Sequence, residues 1–162
     1  MRVIRSDSAK LQALVNTLSQ TDALSLRMRQ EAAVEARKQV RRGFAEGRDP
    51  YGRPWAALKI RSGAPLRDTG KLAEYTVALT PNGFTLTSGT DYAATHQYGA
   101  VIVPVRAKWL TFSVDGAWFR LKKAVIPKRQ MVPEGTWGDI WTEAFTQRFE
   151  AIVSEWAGQK GA

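Results

Sequence analysis

His96 is the only histidine among 162 residues, and the chain has no cysteine. Metal or nucleophile chemistry would have to pass through it. A zinc site needs three or four Cys, His or carboxylate ligands, and one imidazole without a thiol falls short of that. A Ser–His–Asp triad can be written with Asp91 and a distant serine, yet nothing resembles a nucleophile elbow or a glycine-rich oxyanion loop. There is no GxxxxGK[ST], and no GxGxxG between a strand and a helix, so no phosphate-binding loop is expected. Asp and Glu number fifteen and do not gather at metal-ligand spacing. A pair such as Glu31 and Glu35 has helix partners nearby instead, Arg27 four residues before the first and Lys38 three after the second. His96 is therefore read as a loop-holding residue, its ring hydrogen-bonded to neighbouring backbone and packed beside Tyr92 one turn earlier. No catalytic residue, cofactor or metal is expected.

The charge distribution offers a different chemistry. The net charge is +9, divided as +7 over residues 1–61, −1 over 62–103, +6 over 104–129 and −3 over 130–162. Two basic regions and an acidic tail suit work near a polyanion, or charge-complementary contact between subunits. In the second basic region Arg106, Lys108, Arg120, Lys122, Lys123, Lys128 and Arg129 face only Asp115, and Trp109, Trp118 and Phe119 lie among them. Basic residues interleaved with aromatics bind single strands; on a strand pair the same spacing gives one core face and one solvated face. These seven are the candidates for contact with DNA or an acidic partner. In the first basic region two glutamates interrupt the positive face, which weakens a phosphate-binding reading.

The elements that must carry these groups follow from periodicity. At 18.0 kDa the chain, residues 1–162, is read as a single domain. Ser6, Asp7 and Ser8 offer N-caps to a short helix with Leu11, Leu14, Val15 and Leu18 on one side; Ser19 to Asp22 are expected to interrupt it. A second helix spans about residues 23–42, with Leu26, Ala33, Ala36, Val40 and Phe44 on its apolar side and Gly43 and Gly47 to stop it. "EGRDPYGRPW" is turn chemistry. "TPNG" predicts a hairpin through a type I turn with a bulge, Val77 and Leu79 alternating before it and Phe84 and Leu86 after it. Further strands are expected at "AVIVPV", "KWLTFSV" and "AWFRL", the last two joined at Asp115-Gly116, and Pro104 marks an edge or a break. The resulting class is α+β: N-terminal helices, a central antiparallel β-sheet forming a sandwich or partial barrel, and a C-terminal amphipathic helix over about residues 137–157.

That last helix has more apolar surface than one packing partner requires. Its apolar residues cover roughly 220° of arc, against a stripe of about 100° for one-sided packing. Trp137, Trp141, Phe145, Phe149 and Trp156 are accordingly candidates for a subunit interface. No secretory signal is visible in "MRVIRSDSAKLQ", and the longest apolar run, "AVIVPV", is far below the ~20 residues of a membrane span, so the chain is expected to fold in a cytoplasm and avoid membranes.

Four segments in this order, "FAEGRDPYGRPWAALK", "PLRDTGKL", "GTDYAATHQYGA" and a proline-bearing basic stretch, resemble the tailed-phage virion morphogenesis family, also described as tail-completion or neck proteins. The matching residues are Asp49, Pro50, Gly52 and Trp55; Pro65, Leu66, Thr69, Gly70 and Leu72; Tyr92, Ala93, His96, Gln97 and Gly99; and Pro127 and Arg129. The likeness covers about residues 20–135 and departs after Arg129, where the family's Pro-Phe-Leu is replaced by Gln130, Met131 and Val132.

The resemblance implies a structural virion protein of the neck or upper tail, which completes the tail and joins it to the head as a subunit of a homo-oligomeric ring. Its partners would be other neck and tail proteins, with nonspecific contact with packaged DNA; its place is the virion, and the host cytoplasm during assembly. It implies no enzyme activity, and makes "HQ-x-G" a structural loop fixed by His96 and Gln97, with Gly99 permitting its exit. Asp49, Pro50 and Gly52 would shape the turn that carries Trp55 to the core. The alternative reading is a basic nucleic-acid-binding accessory protein of phage assembly. A small hydrolase dependent on His96 is the third.

Overall fold

A computed structural model describes residues 8–60 and 62–160. Helix α1 runs without a break over Ser8–Glu46. The expected interruption at residues 19–22 is absent because Ser, Thr and Asp each cost under about 0.7 kcal/mol in a helix interior, whereas a true break calls for Gly or Pro. Ser6 and Asp7, and the side chains of Leu11, Leu14, Val15 and Leu18, lie outside the described residues. The helix passes through Gly43 and stops at Gly47, whose φ of 69° is left-handed, while the amide of Arg48 donates to the carbonyl of Gly43 at 3.0 Å. That pairing closes the C-terminus in the manner of a Schellman motif. Arg67 completes the cap: its Nε donates to the Phe44 carbonyl at 2.6 Å, and its guanidinium also reaches the Ala45 carbonyl.

After the Asp49–Trp55 turn, a single 3₁₀ turn at Lys71–Ala73 leads to β1, Tyr75–Thr80, and β2, Gly83–Ser88. They form a hairpin that pairs Val77 with Leu86 and Leu79 with Phe84. Gly83 pairs with Thr80 at the head of β2, and its φ is not left-handed, so no bulge forms there. Next come helix α2, Ala93–Tyr98, and β3, Ala100–Ile102. Strands β4, Leu110–Val114, and β5, Ala117–Leu121, make the second hairpin. Asp115 (φ 51°) and Gly116 (φ 81°) are both left-handed, as a two-residue hairpin turn of type I′ requires. Strand β6, Ala124–Ile126, returns to pair antiparallel with β3, and α3, Asp139–Lys160, closes the order.

The class is α+β, with helix first, antiparallel strands between and helix last. Among the described residues the strands pair as three separate two-stranded ladders, and no barrel closes. The single central sheet expected from the sequence is divided because strands of three to six residues, separated by Gly and Pro, offer too short a ladder to extend. The core lies between α1, α3 and the β1–β2 hairpin. Ala32, Ala36, Val40 and Phe44 of α1 meet Trp141 and Phe145 of α3, with Trp55, Leu66 and Met131 filling in from loops, Leu72 from the 3₁₀ turn and Ala93 from α2. Alanines on α1 let α3 approach closely, and two ion pairs cross the contact: Arg148 with Glu31 at 2.8 Å, and Arg27 with Glu155. Glu31 and Arg27 thus pair between helices rather than with each other along α1; Glu35 does pair with Lys38, at 3.5 Å.

Trp55 is 7 % exposed, stands edge-on to Phe44 with ring centroids 5.1 Å apart, and donates its indole N–H to the Gln130 carbonyl at 2.8 Å. Trp55→Ala should lower stability by roughly 3–5 kcal/mol, the usual range for a large buried aromatic. An unchanged midpoint and slope in a urea titration would remove Trp55 as the anchor of the loop.

Candidate functional site

The loop motifs converge on residues 129–132, an irregular stretch whose backbone groups no ladder can satisfy. Gln97 is 6 % exposed and meets three of them: its Oε1 accepts the amides of Met131 (2.8 Å) and Val132 (3.3 Å), and its Nε2 donates to the Val132 carbonyl (2.9 Å). Trp55 meets the Gln130 carbonyl from the other side. Arg129 reaches outward, with Nε to the Ala56 carbonyl at 2.8 Å and the guanidinium to the Ala57 carbonyl at 3.2 Å. Its own amide donates to the His96 carbonyl at 2.8 Å. Gly99 (φ 78°) lies so close to the returning chain that a Cβ would meet the Lys128 amide nitrogen at 3.0 Å. The α2 loop, the Trp55 turn and the segment before α3 are thereby one unit.

The first turn is held from within. Asp49 Oδ1 accepts the amides of Tyr51 and Arg53, each at 2.9 Å, Pro50 is buried, and Gly52 adopts φ 84°. Tyr51, which no sequence signal singles out, ties this turn to the chain before α3 through the Glu134 carbonyl at 3.0 Å. Gly138 fits against it so closely that a Cβ would meet the Pro50 carbonyl oxygen at 2.7 Å.

"PLRDTGKL" and "YAATHQYG" also meet. Leu66, Thr69, Gly70, Tyr92, His96 and Arg129 line one cavity of about 220 Å³. Leu66 is buried with a left-handed φ of 62°, a conformation that costs a non-glycine residue energy and that the surrounding packing imposes. The His96 ring stands edge-on to Tyr92 at 6.1 Å, but its Nδ1 is enclosed without a hydrogen-bond partner among the described residues. The backbone bond expected of the ring is made instead by the His96 carbonyl. Desolvation, followed by the nearby Arg129 charge, lowers the imidazole below its ordinary pKa, so the folded state favours the neutral ring.

The basic candidates divide. Arg106, Lys108, Arg120, Lys122, Lys123 and Lys128 are exposed. Lys128 pairs with Glu134 at 3.1 Å, and the Lys122 ammonium lies 5.6 Å from the centre of the Trp109 ring. Arg129, at 5 % exposure, is not available to DNA or to any partner, because three main-chain contacts account for its position. A linear count of charge could not distinguish a clamp from a surface cation.

The interface candidates divide too. Trp141 (4 % exposed) and Phe145 (3 %) are buried in the subunit's own core and cannot supply a free apolar face, whereas Phe149 is only partly buried against that core. The wide arc of α3 is partly covered within the same chain, by α1 and by Phe84 of β2, which stacks 6.5 Å from Phe145. Trp137, just before α3, remains 46 % exposed, and Trp156 is partly exposed. Exposed apolar surface lies mainly elsewhere, at Tyr98, Val101, Val103, Val105, Trp118 and Val125.

The family model described as the phage virion morphogenesis family matches residues 6–139. No curated protein matches the chain, and no solved structure does.

These contacts rank two neighbouring residues. Gln97→Ala strips partners from three backbone groups and should destabilise by about 1–3 kcal/mol for each one left unmet; His96→Ala loses only ring packing and should cost less. Urea unfolding of both variants checks the order. The histidine has a pH signature. Its pKa is lower folded than unfolded, so its contribution is complete above the ordinary value of 6.5 and declines as pH falls below it, where the unfolded chain binds the proton more readily. Between about pH 7 and pH 5 the loss of stability should be smaller in His96→Ala than in the native chain; equal slopes would place the acid sensitivity elsewhere.

Proposed function

The chain belongs to the phage virion morphogenesis family and serves virion assembly, and from that premise we propose that it is a structural subunit of the neck or upper tail. In this reading many copies close into a ring that completes the tail and joins it to the head. The chain acts through surfaces and carries no catalytic group. The observation that supports this most strongly is the family match over residues 6–139. The character of the surface agrees with it. Once the core is closed, exposed aliphatic and aromatic side chains remain beside exposed lysines and arginines at residues 98–125, while Asp139, Glu143 and Glu150 are exposed on α3. Large mixed patches of this kind on a small domain mark interaction surfaces, and opposite charge at two places on one chain suits a head-to-tail contact that closes by rotation.

A phage lacking this protein should accumulate DNA-filled heads and unjoined tails, and purified protein added to the extract should restore infectious particles. Replacing Arg120, Lys122 and Lys123 together by Glu should leave urea unfolding unchanged within about 0.5 kcal/mol, as for surface substitutions, yet abolish the restoration. Normal joining without the protein would reject the reading. Full restoration by the reversed variant would remove the basic hairpin from it.

A further inference from the structure

The β4–β5 hairpin packs chiefly on itself, whereas the β1–β2 hairpin is covered by α1. An isolated two-stranded hairpin is at best marginally stable in water, so an arm of this kind is completed by something laid against it. Its outward face carries Trp118, which is 76 % exposed, next to Arg120, and Trp118 stands opposite Ser113 one pair from the turn. Val101 and Val125, paired on the neighbouring β3–β6 ladder, are also exposed, and Val105 between the ladders is 93 % exposed. Phosphates would match the arginine and lysines, but they would gain nothing from the valines; a protein surface matches both.

A receiving surface is present on the same chain. Phe84 and Leu86 of β2, Trp137, Phe149 and Met28 line an apolar cleft of about 510 Å³ between α1, the β1–β2 hairpin and α3, ample for an indole. Arg29 lies at its edge, held by the Thr80 (2.9 Å) and Pro81 (2.7 Å) carbonyls, a fixed cation against which an aromatic face can rest. Exposed Asp139, Glu143 and Glu150 give α3 an acidic side, whereas Arg106, Lys108, Arg120, Lys122 and Lys123 are exposed in and beside the hairpin with Asp115 as the acid among them. The arm carries Arg120 beside the aromatic, with Asp115 at its turn and Lys108, Lys122 and Lys123 at its base, and the cleft is apolar.

We propose that Trp118, on the β4–β5 arm of one copy, inserts into the α1–β2–α3 cleft of a second copy of this chain, with the lysines at the base of the arm lying along the acidic side of α3. The two surfaces differ, so each copy gives an arm and receives one, and the contact propagates until it closes. This rests on the ring reading above and names its joint.

The test places photoreactive benzoylphenylalanine at position 118 of the full chain and irradiates assembled virions. The expected product is a cross-link between two copies, mapped by peptide mass spectrometry to the segments bearing Phe84, Trp137 or Phe149. Trp118→Ala, at an exposed position, should fold normally and weaken copy–copy association on the order of 30-fold, the effect of losing one aromatic hot spot. Cross-links from position 118 to DNA, to another virion protein or within its own subunit overturn the proposal. If imaging of the same particles still shows a ring of this chain, only the joint is wrong. If it shows a single copy, the ring reading falls with it.

Discussion

Residues 129–132 must be held by side chains, because no strand lies beside them, and the rest of the structure depends on how that is done. Gln97 supplies both halves of its amide to Met131 and Val132, the Trp55 indole takes the Gln130 carbonyl, and Arg129 reaches back to Ala56 and Ala57. Each of these groups comes from a different segment, so satisfying the backbone of one irregular stretch fixes the relative positions of three. Removing a buried partner would cost the full desolvation of the group left behind. The chain after this stretch then enters α3 at Gly138, where only a glycine fits against Pro50.

With the interior committed in this way, the residues that sequence motifs emphasise are mostly those that hold loops. The basic and apolar groups left outside are the ones available to other molecules. Glu31 and Arg27 serve the α1–α3 contact, and Arg129 serves the loop network, where its burial removes it from the surface charge. What remains is uneven: an aromatic arm at β4–β5 with exposed lysines at its base, and an acidic side on α3. An assembly subunit uses such unevenness for orientation, since like surfaces repel and unlike ones meet.

Local chemistry was legible in the residues. Asp115-Gly116 demands left-handed φ at two positions and has it, and the Val77–Leu86 and Leu79–Phe84 alternation places the first hairpin in register. Gly47, an ordinary C′ glycine, stops α1. Tertiary facts were not legible. Residues 19–22 look like a break only if weak helix formers are treated as breakers. The arc of α3 looked twice too wide because a sequence cannot show that α1 and Phe84 of β2, in the same chain, take up part of it and leave Trp141 and Phe145 buried. His96 stood out by being unique, whereas its neighbour Gln97 makes the bonds; an amide in an "HQ" pair carries no signal until its backbone partners, thirty-four residues and more away, are in place. Tyr51 and Arg67 act on distant carbonyls in the same way.

In the proposed function this chain closes a ring where tail meets head. Cryo-electron imaging of the neck region of intact virions tests it most directly, by fitting the α1–α3 core and the β4–β5 arm into the density. Several copies are expected around the tail axis, each touching the next at unlike surfaces. A virion in which the chain is absent from the head–tail junction, or present there as a lone copy, would contradict it.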